Sequence, residues 1–200
     1  MKITVLKETR KHRVSLCLDG EYIASLDMLT VGDYGLCVGD EIDEETLEKI
    51  LRISQSRRAK SKAIELLSYR PHSRTELKRK LLKTATEEDA EKAVARMEEL
   101  EMVNDKSFAE SLVRELSEIK YYGEIRVRQE LYRRGIDRDT AEEALSSIPD
   151  QRELLSRYLE SRQTKMTDDR KEREKLIRRL LSRGFNYDDI QSVLREYGEE

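Results

Sequence analysis

Glu124-Ile125-Arg126-Val127-Arg128-Gln129-Glu130-Leu131-Tyr132-Arg133-Arg134-Gly135-Ile136 reads as a short cationic helix. Val127 and Leu131 stand one turn apart on a single face, and Gly135 supplies the stop. A cousin lies upstream, Glu76-Leu77-Lys78-Arg79-Lys80-Leu81-Leu82-Lys83, and another downstream, Leu176-Ile177-Arg178-Arg179-Leu180-Leu181-Ser182-Arg183-Gly184-Phe185. Leu81, Leu131 and Leu180 are 50 and 49 residues apart. A fixed period of that size marks a repeat architecture.

The neighbouring segments fill out each repeat. Pro71 ends a helical run over Arg57 to Tyr69, and Ser73-Arg74-Thr75-Glu76 forms a capping box that opens the next helix. A third helix over about 87–100 buries Ala90, Val94, Met97 and Leu100. Asn104 or Asp105 then caps a helix with Phe108, Ala109, Leu112, Val113 and Leu116, which Gly123 breaks. The quoted helix follows, and Asp137 caps a third through Ala141, Ala144 and Leu145, ended before Pro149. The last repeat begins at Asp150 with Leu154, Leu155, Tyr158 and Leu159. It crosses a polar linker from Ser161 to Asp168, continues from Asp169 to Arg183, and closes with a helix capped by Asn186. Each unit is small, so stacking between neighbours is expected to supply stability.

Residues 1–42 read differently. Val14, Leu16 and Leu18 alternate with Ser15 and Cys17, Asp19-Gly20 is a hairpin signal, and Tyr22 to Leu26 follows. Ile3 to Leu6 makes a third strand. Gly32, Gly35 and Gly39 mark 28–42 as an irregular connector, and no Gly-Lys-Ser/Thr turns it into a phosphate loop. The expected organisation is therefore a β extension over 1–42, a connecting helix over 43–56 capped by Asp43, and three-helix repeats over 57–103, 104–149 and 150–200. The expected fold is mainly α: an elongated, curved array of three tandem repeats with a small N-terminal β-hairpin or three-strand extension.

Composition narrows the function classes. Charged residues make up 40% of the 200-residue chain and hydrophobic ones 37%, which suits surface-rich helices with narrow apolar stripes. The net charge is only −3, yet it is segregated: residues 57–83 carry a local balance of +8, 87–101 of −5 and 171–183 of +4. Cys17, Cys37, His12 and His72 have no metal-ligand spacing, and no nucleophile stands beside a base. No cofactor, metal or catalytic residue is expected. No apolar run is long enough for a membrane span and the start lacks a secretory core, so a cytoplasmic protein is expected.

The cations of the second helices are the candidate binding residues. They are Arg74, Lys78, Arg79 and Lys83 on the first; Arg126, Arg128, Arg133 and Arg134 on the second; and Lys171, Lys175, Arg178, Arg179 and Arg183 on the third. Rows of this kind suit phosphates or acidic protein patches. The plainer reading is a solvated face paired with local acids such as Glu130 and Glu174. Leu77, Val127, Leu131, Leu176 and Leu180 read as core. Tyr121 and Tyr122, ahead of a glycine, read either as stacking or interface residues or as packing.

Several segments together resemble the RecX family of regulators of the RecA recombinase. Arg70-Pro-His-Ser73-Arg-Thr-Glu76-Leu77 looks like the family's Arg-x-x-Ser-x-x-Glu-Leu segment, and Asn104-Asp105-Lys-Ser-Phe108-Ala109 like its Asp-Asp-x-x-Phe-Ala segment. Gly123 to Ile136 looks like its Gly-x-x-x-Ile-x-x-Glu-Leu-x-x-Lys-Gly-Ile segment. Tyr34-Gly35-Leu36 and Gly39 to Glu45 resemble the extension of longer members. Asn104, Arg134 and Thr84-Ala85 depart from the usual residues, the last pair replacing a glycine stop and leaving the end of the 74–83 helix open. The resemblance implies a monomeric, non-enzymatic regulator that binds the groove of the RecA–DNA filament and mainly inhibits recombinase, ATPase and strand-exchange activity. That would place it in DNA repair, recombination and the SOS response. The same cations also suit a direct nucleic-acid-binding module, contacting single- or double-stranded DNA without the recombinase, or a generic helical scaffold.

Overall fold

A computed structural model describes residues 1–9, 13–164 and 169–197. His12 and the 165–168 part of the polar linker lie outside the described residues. The chain divides into two compact units, one of residues 1–71 with 77–103 and the other of 72–76 with 104–200.

The first unit opens with an antiparallel sheet, β1 (Ile3–Thr9), β2 (Arg13–Leu18) and β3 (Glu21–Asp27), in that order. Asp19 and Gly20 both take left-handed φ, 49° and 92°, which lets a two-residue turn set Leu18 opposite Glu21. The period-two pattern puts Val14, Leu16 and Leu18 on the buried face, where Leu16, Leu18, Ile3 and Leu26 pack with Ile42 and Ile50.

Residues 28–42 are more ordered than the glycines suggest. Met28–Asp33 forms a short helix, α1, because the Asp27 side chain accepts the Thr30 backbone N–H at 3.1 Å. The connecting helix expected over 43–56 and the run expected over Arg57 to Tyr69 are continuous. Glu44–Tyr69 is one unbroken helix, α2, of 26 residues, capped by Asp43, which accepts the Thr46 N–H at 2.7 Å. Its polar middle carries little hydrophobic periodicity but has tertiary roles: buried Ser54 accepts the N–H of Asp27 at 2.9 Å. Ile50 serves the sheet, while Ala59 and Ala63 serve a second core with Leu77, Leu81, Ala90, Val94 and Met97. That core is closed by α3 (Arg74–Leu81) and α4 (Glu87–Glu99, capped by Thr86).

In the second unit, α5 (Asp105–Arg114) runs into a π-helical turn over Glu115–Ile119, then α6 (Glu124–Arg133) and α7 (Arg138–Leu145) follow. Val127 and Leu131 of α6 are fully buried among Ala109, Val113, Ala141 and Ala144. The last triplet is α8 (Gln151–Ser161), α9 (Arg170–Ser182) and α10 (Tyr187–Glu196), whose core joins Leu155, Tyr158, Leu180, Phe185, Ile190 and Leu194. Leu176 is only half-buried at its edge. Each triplet closes an apolar cluster of its own, since three short amphipathic helices already cover one another's stripes.

Candidate interaction surface

The quoted helix is held at both ends by its neighbours. At its start, Gly123 donates its N–H to the Arg183 carbonyl at 2.9 Å, and Ile125 donates to the Gly184 carbonyl at 3.2 Å. Amides at a helix start have no partner within the helix, so the carbonyls closing α9 satisfy them. The Gln151 side chain accepts the Glu124 N–H at 2.8 Å. A Cβ on Gly123 would lie 2.6 Å from the Phe185 nitrogen, and one on Gly184 would lie 2.9 Å from Arg126 Cα; both distances are closer than real Cβ contacts. Only glycine on both sides allows this approach.

The same arrangement recurs at the far end of α6. The Ser73 hydroxyl donates to the Arg134 carbonyl, and the Thr75 hydroxyl donates to the Gly135 carbonyl at 3.1 Å. Ser73 also fulfils half of the capping box by accepting the Glu76 N–H at 3.1 Å. Asp105 accepts the Arg74 N–H at 2.7 Å, and burial raises its carboxyl above the ordinary aspartate value. Within this unit, then, the start of α3 meets the end of α6, and the start of α6 meets the end of α9.

These junctions sort the candidate cations. Arg134 is mostly buried and bonds buried Glu76 at 3.3 Å. Arg128 is tied to Glu124 and Glu142, whose hydrogen bonds hold its proton more tightly than usual. Lys78 sits between Glu91 at 2.9 Å and Glu87 at 3.2 Å. Arg183 donates to the Lys120 carbonyl at 2.6 Å and lies over the rings of Tyr158 at 4.3 Å and Tyr122 at 5.3 Å. Arg74 lies half-buried at the Asp105 junction.

The others face solvent. Arg133 pairs with Glu130, Lys175 reaches Glu172 at 3.8 Å, and Arg178 donates to the Glu174 carbonyl at 3.3 Å. Arg126 is exposed and rests over Tyr122 at 5.9 Å. Arg79, Lys83, Lys171 and Arg179 are exposed and form no ion pair among the described residues. Tyr121 and Tyr122 are half-buried and packed against the last and middle triplet cores. The sequence reading missed the positioning roles of Tyr158 and Gln151. Their spacing from α6 in the chain leaves no local signal.

Among the described residues no group of His, Cys, Asp or Glu is set to hold a metal ion, and no helix is long and apolar enough to cross a membrane. What the fold defines is a chain of tandem three-helix domains carrying solvent-facing cations. Known proteins share that plan. Family models described as the first, second and third three-helix domains of RecX match residues 59–97, 104–145 and 151–194. Regulatory protein RecX of Clostridioides difficile (strain 630) is 30% identical, over 97% of this chain and 94% of that one. The protein of the same name from Prosthecochloris aestuarii is 33% identical over 72% of this chain and 95% of its own. A crystal structure of regulatory protein RecX superposes with a TM-score of 0.64 at 26% identity, covering 96% of this chain and 98% of the other. The RecX structure from Lactobacillus salivarius gives 0.60 at 28% identity, over 73% and 98%. The chain belongs to the RecX family, and its role is regulatory.

Proposed function

We propose that this chain binds the RecA–DNA filament in its groove and lowers the recombinase's ATP hydrolysis and strand exchange, acting as a cytoplasmic monomer without catalysis of its own. The observation that carries the reading is the set of exposed cations on the second helices, Arg79, Lys83, Arg126, Lys171 and Arg179, in a chain that matches RecX regulators along nearly its whole length. Charges already paired to local acids contribute little to a partner, whereas unpaired ones gain a phosphate or carboxylate on contact. Several weak contacts on one chain favour a polymer over free subunits by avidity.

The test adds purified protein to RecA on single-stranded DNA with ATP. ATP hydrolysis and strand exchange are expected to fall, and Arg126→Glu with Arg179→Glu to restore them. Unchanged hydrolysis and exchange at saturating protein would sink the reading. The same solvent-facing cations support direct nucleic-acid binding as a second reading. Steeply salt-dependent affinity for naked DNA, with no gain when RecA is present, is the result that would favour it.

A further inference from the structure

A cleft of about 630 Å³ lies in the first unit between the sheet, α1, α2 and the loop from α3 to α4. Arg13 of β2 and Arg58 and Lys62 of α2 line one part of it, and Met28, Leu29 and Ala85 make an apolar wall. Arg58 also borders an adjoining recess of about 320 Å³. The acids nearby are already engaged: Asp27 caps α1, and Glu65 accepts from Lys62 at 2.9 Å. The Arg13 Nε is buried with no hydrogen-bond partner, and neither Arg13 nor Arg58 forms an ion pair among the described residues. Burial, and after it the charge of Arg13, lowers the proton affinity of the Arg58 guanidinium.

Two half-buried guanidiniums lining one cleft, with its acids Asp27 and Glu65 engaged elsewhere and no ion pair of their own, are costly, and a multivalent anion between them removes both the repulsion and the unmet donor. Guanidinium forks match phosphoryl oxygens in pairs. We propose that this cleft is a phosphate-binding site in which Arg13 and Arg58 hold the phosphoryl oxygens while Met28, Leu29 and Ala85 receive the apolar face of the group that carries it. The volume falls in the range of pockets for small ligands, which suits one nucleotide unit. That unit is supplied either by a free nucleoside phosphate or by a nucleic-acid strand. The site uses none of the second-helix cations, so it stands or fails apart from filament binding.

Calorimetric titration of the full-length protein with inorganic pyrophosphate, ATP and a short single-stranded oligothymidylate tests it without recombinase. Pyrophosphate is expected to bind saturably, and Arg13→Gln and Arg58→Gln each to weaken it by at least about tenfold. Tighter binding of ATP identifies the free nucleotide as the source. Tighter binding of the oligonucleotide alone, abolished by the same substitutions, identifies the strand. Without anion, Arg58→Gln is expected to melt no lower than the unsubstituted protein, and pyrophosphate to raise the melting point of the latter only. Arg58→Lys keeps the charge without the fork; it reads the site should a neutral variant lose its fold, and a several-fold weakening is expected. Absence of saturable pyrophosphate binding, or binding that all three substitutions leave unchanged, overturns the proposal.

Discussion

The junction between α6 and α9 makes the sharpest quantitative prediction, because three glycines separate its two physical components. Gly184 has φ +91° and would drive a Cβ against the backbone of Arg126. Gly123 has φ −70°, which any residue adopts, but its Cβ would meet the backbone of Gly184 and Phe185. Gly20 has φ +92° with open space where a Cβ would go. Alanine at Gly20 therefore suffers only the left-handed backbone, about 1–2 kcal/mol, less about 0.5 kcal/mol regained by stiffening the unfolded chain. Alanine at Gly123 suffers only the overpacking, about 1–3 kcal/mol less the same gain. Alanine at Gly184 suffers both, about 2–4 kcal/mol in all. Urea unfolding followed by circular dichroism measures each on the transition of its own unit, with Gly184→Ala lowering the midpoint by about 1–2 M at an unchanged slope. A Gly123→Ala protein as stable as the parent, or a Gly184→Ala no worse than Gly20→Ala, would refute the close approach.

Arg134→Ala leaves the Glu76 carboxylate buried without the guanidinium and is expected to cost about 2–3 kcal/mol, measured by urea unfolding, whereas Arg126→Glu leaves the unfolding free energy within about 0.5 kcal/mol. Arg183→Ala removes the donor to the Lys120 carbonyl and the contact with Tyr158, for an expected loss of about 1–3 kcal/mol in the same assay. Hydrogen bonds from the Thr140 backbone, and then its hydroxyl, hold the Asp137 carboxyl below its ordinary value of 3.8. Its folded pKa is depressed, so its contribution is present above that value and is lost as pH falls through the folded one; Asp137→Asn should flatten this acid limb in unfolding scans. Asp105 has the opposite sign. Burial raises its folded pKa, so the ionised form is penalised at neutral pH and the penalty lifts as pH falls toward 3.8; Asp105→Asn should remove that rise.

Much of the architecture was legible because it is local. Asp43, Asn104, Asp137 and Asn186 each cap the helix that follows, and their side chains accept the amide three residues on. The apolar spacing of Val127 with Leu131 and of Ile190 with Leu194 identified their buried faces. Two of the differences arose where local signals compete with distant contacts. Gly32 and Gly35 argued for an irregular connector, but the Asp27 cap and packing of Val31 and Leu36 on the sheet core organise α1. Ser54 to Arg58 offered no apolar period, because Ser54 faces the end of β3 and Arg58 a cleft rather than a core.

The candidate cations show where such reading stops. Arg126, Arg128 and Arg134 look alike in sequence, yet one is exposed over a tyrosine, one is clamped by two glutamates and one is sunk against Glu76. Nothing within a helical turn of Arg134 announces a partner 58 residues away. By itself the sequence determined the helices after residue 43, most of their caps, most of their buried positions, Leu100 being exposed instead, and the fifty-residue repeat, since these follow from interactions between near neighbours along the chain. Only the tertiary structure decided which cations remain available and why Gly123 and Gly184 must lack side chains, because both depend on backbone and charge brought together across distant segments.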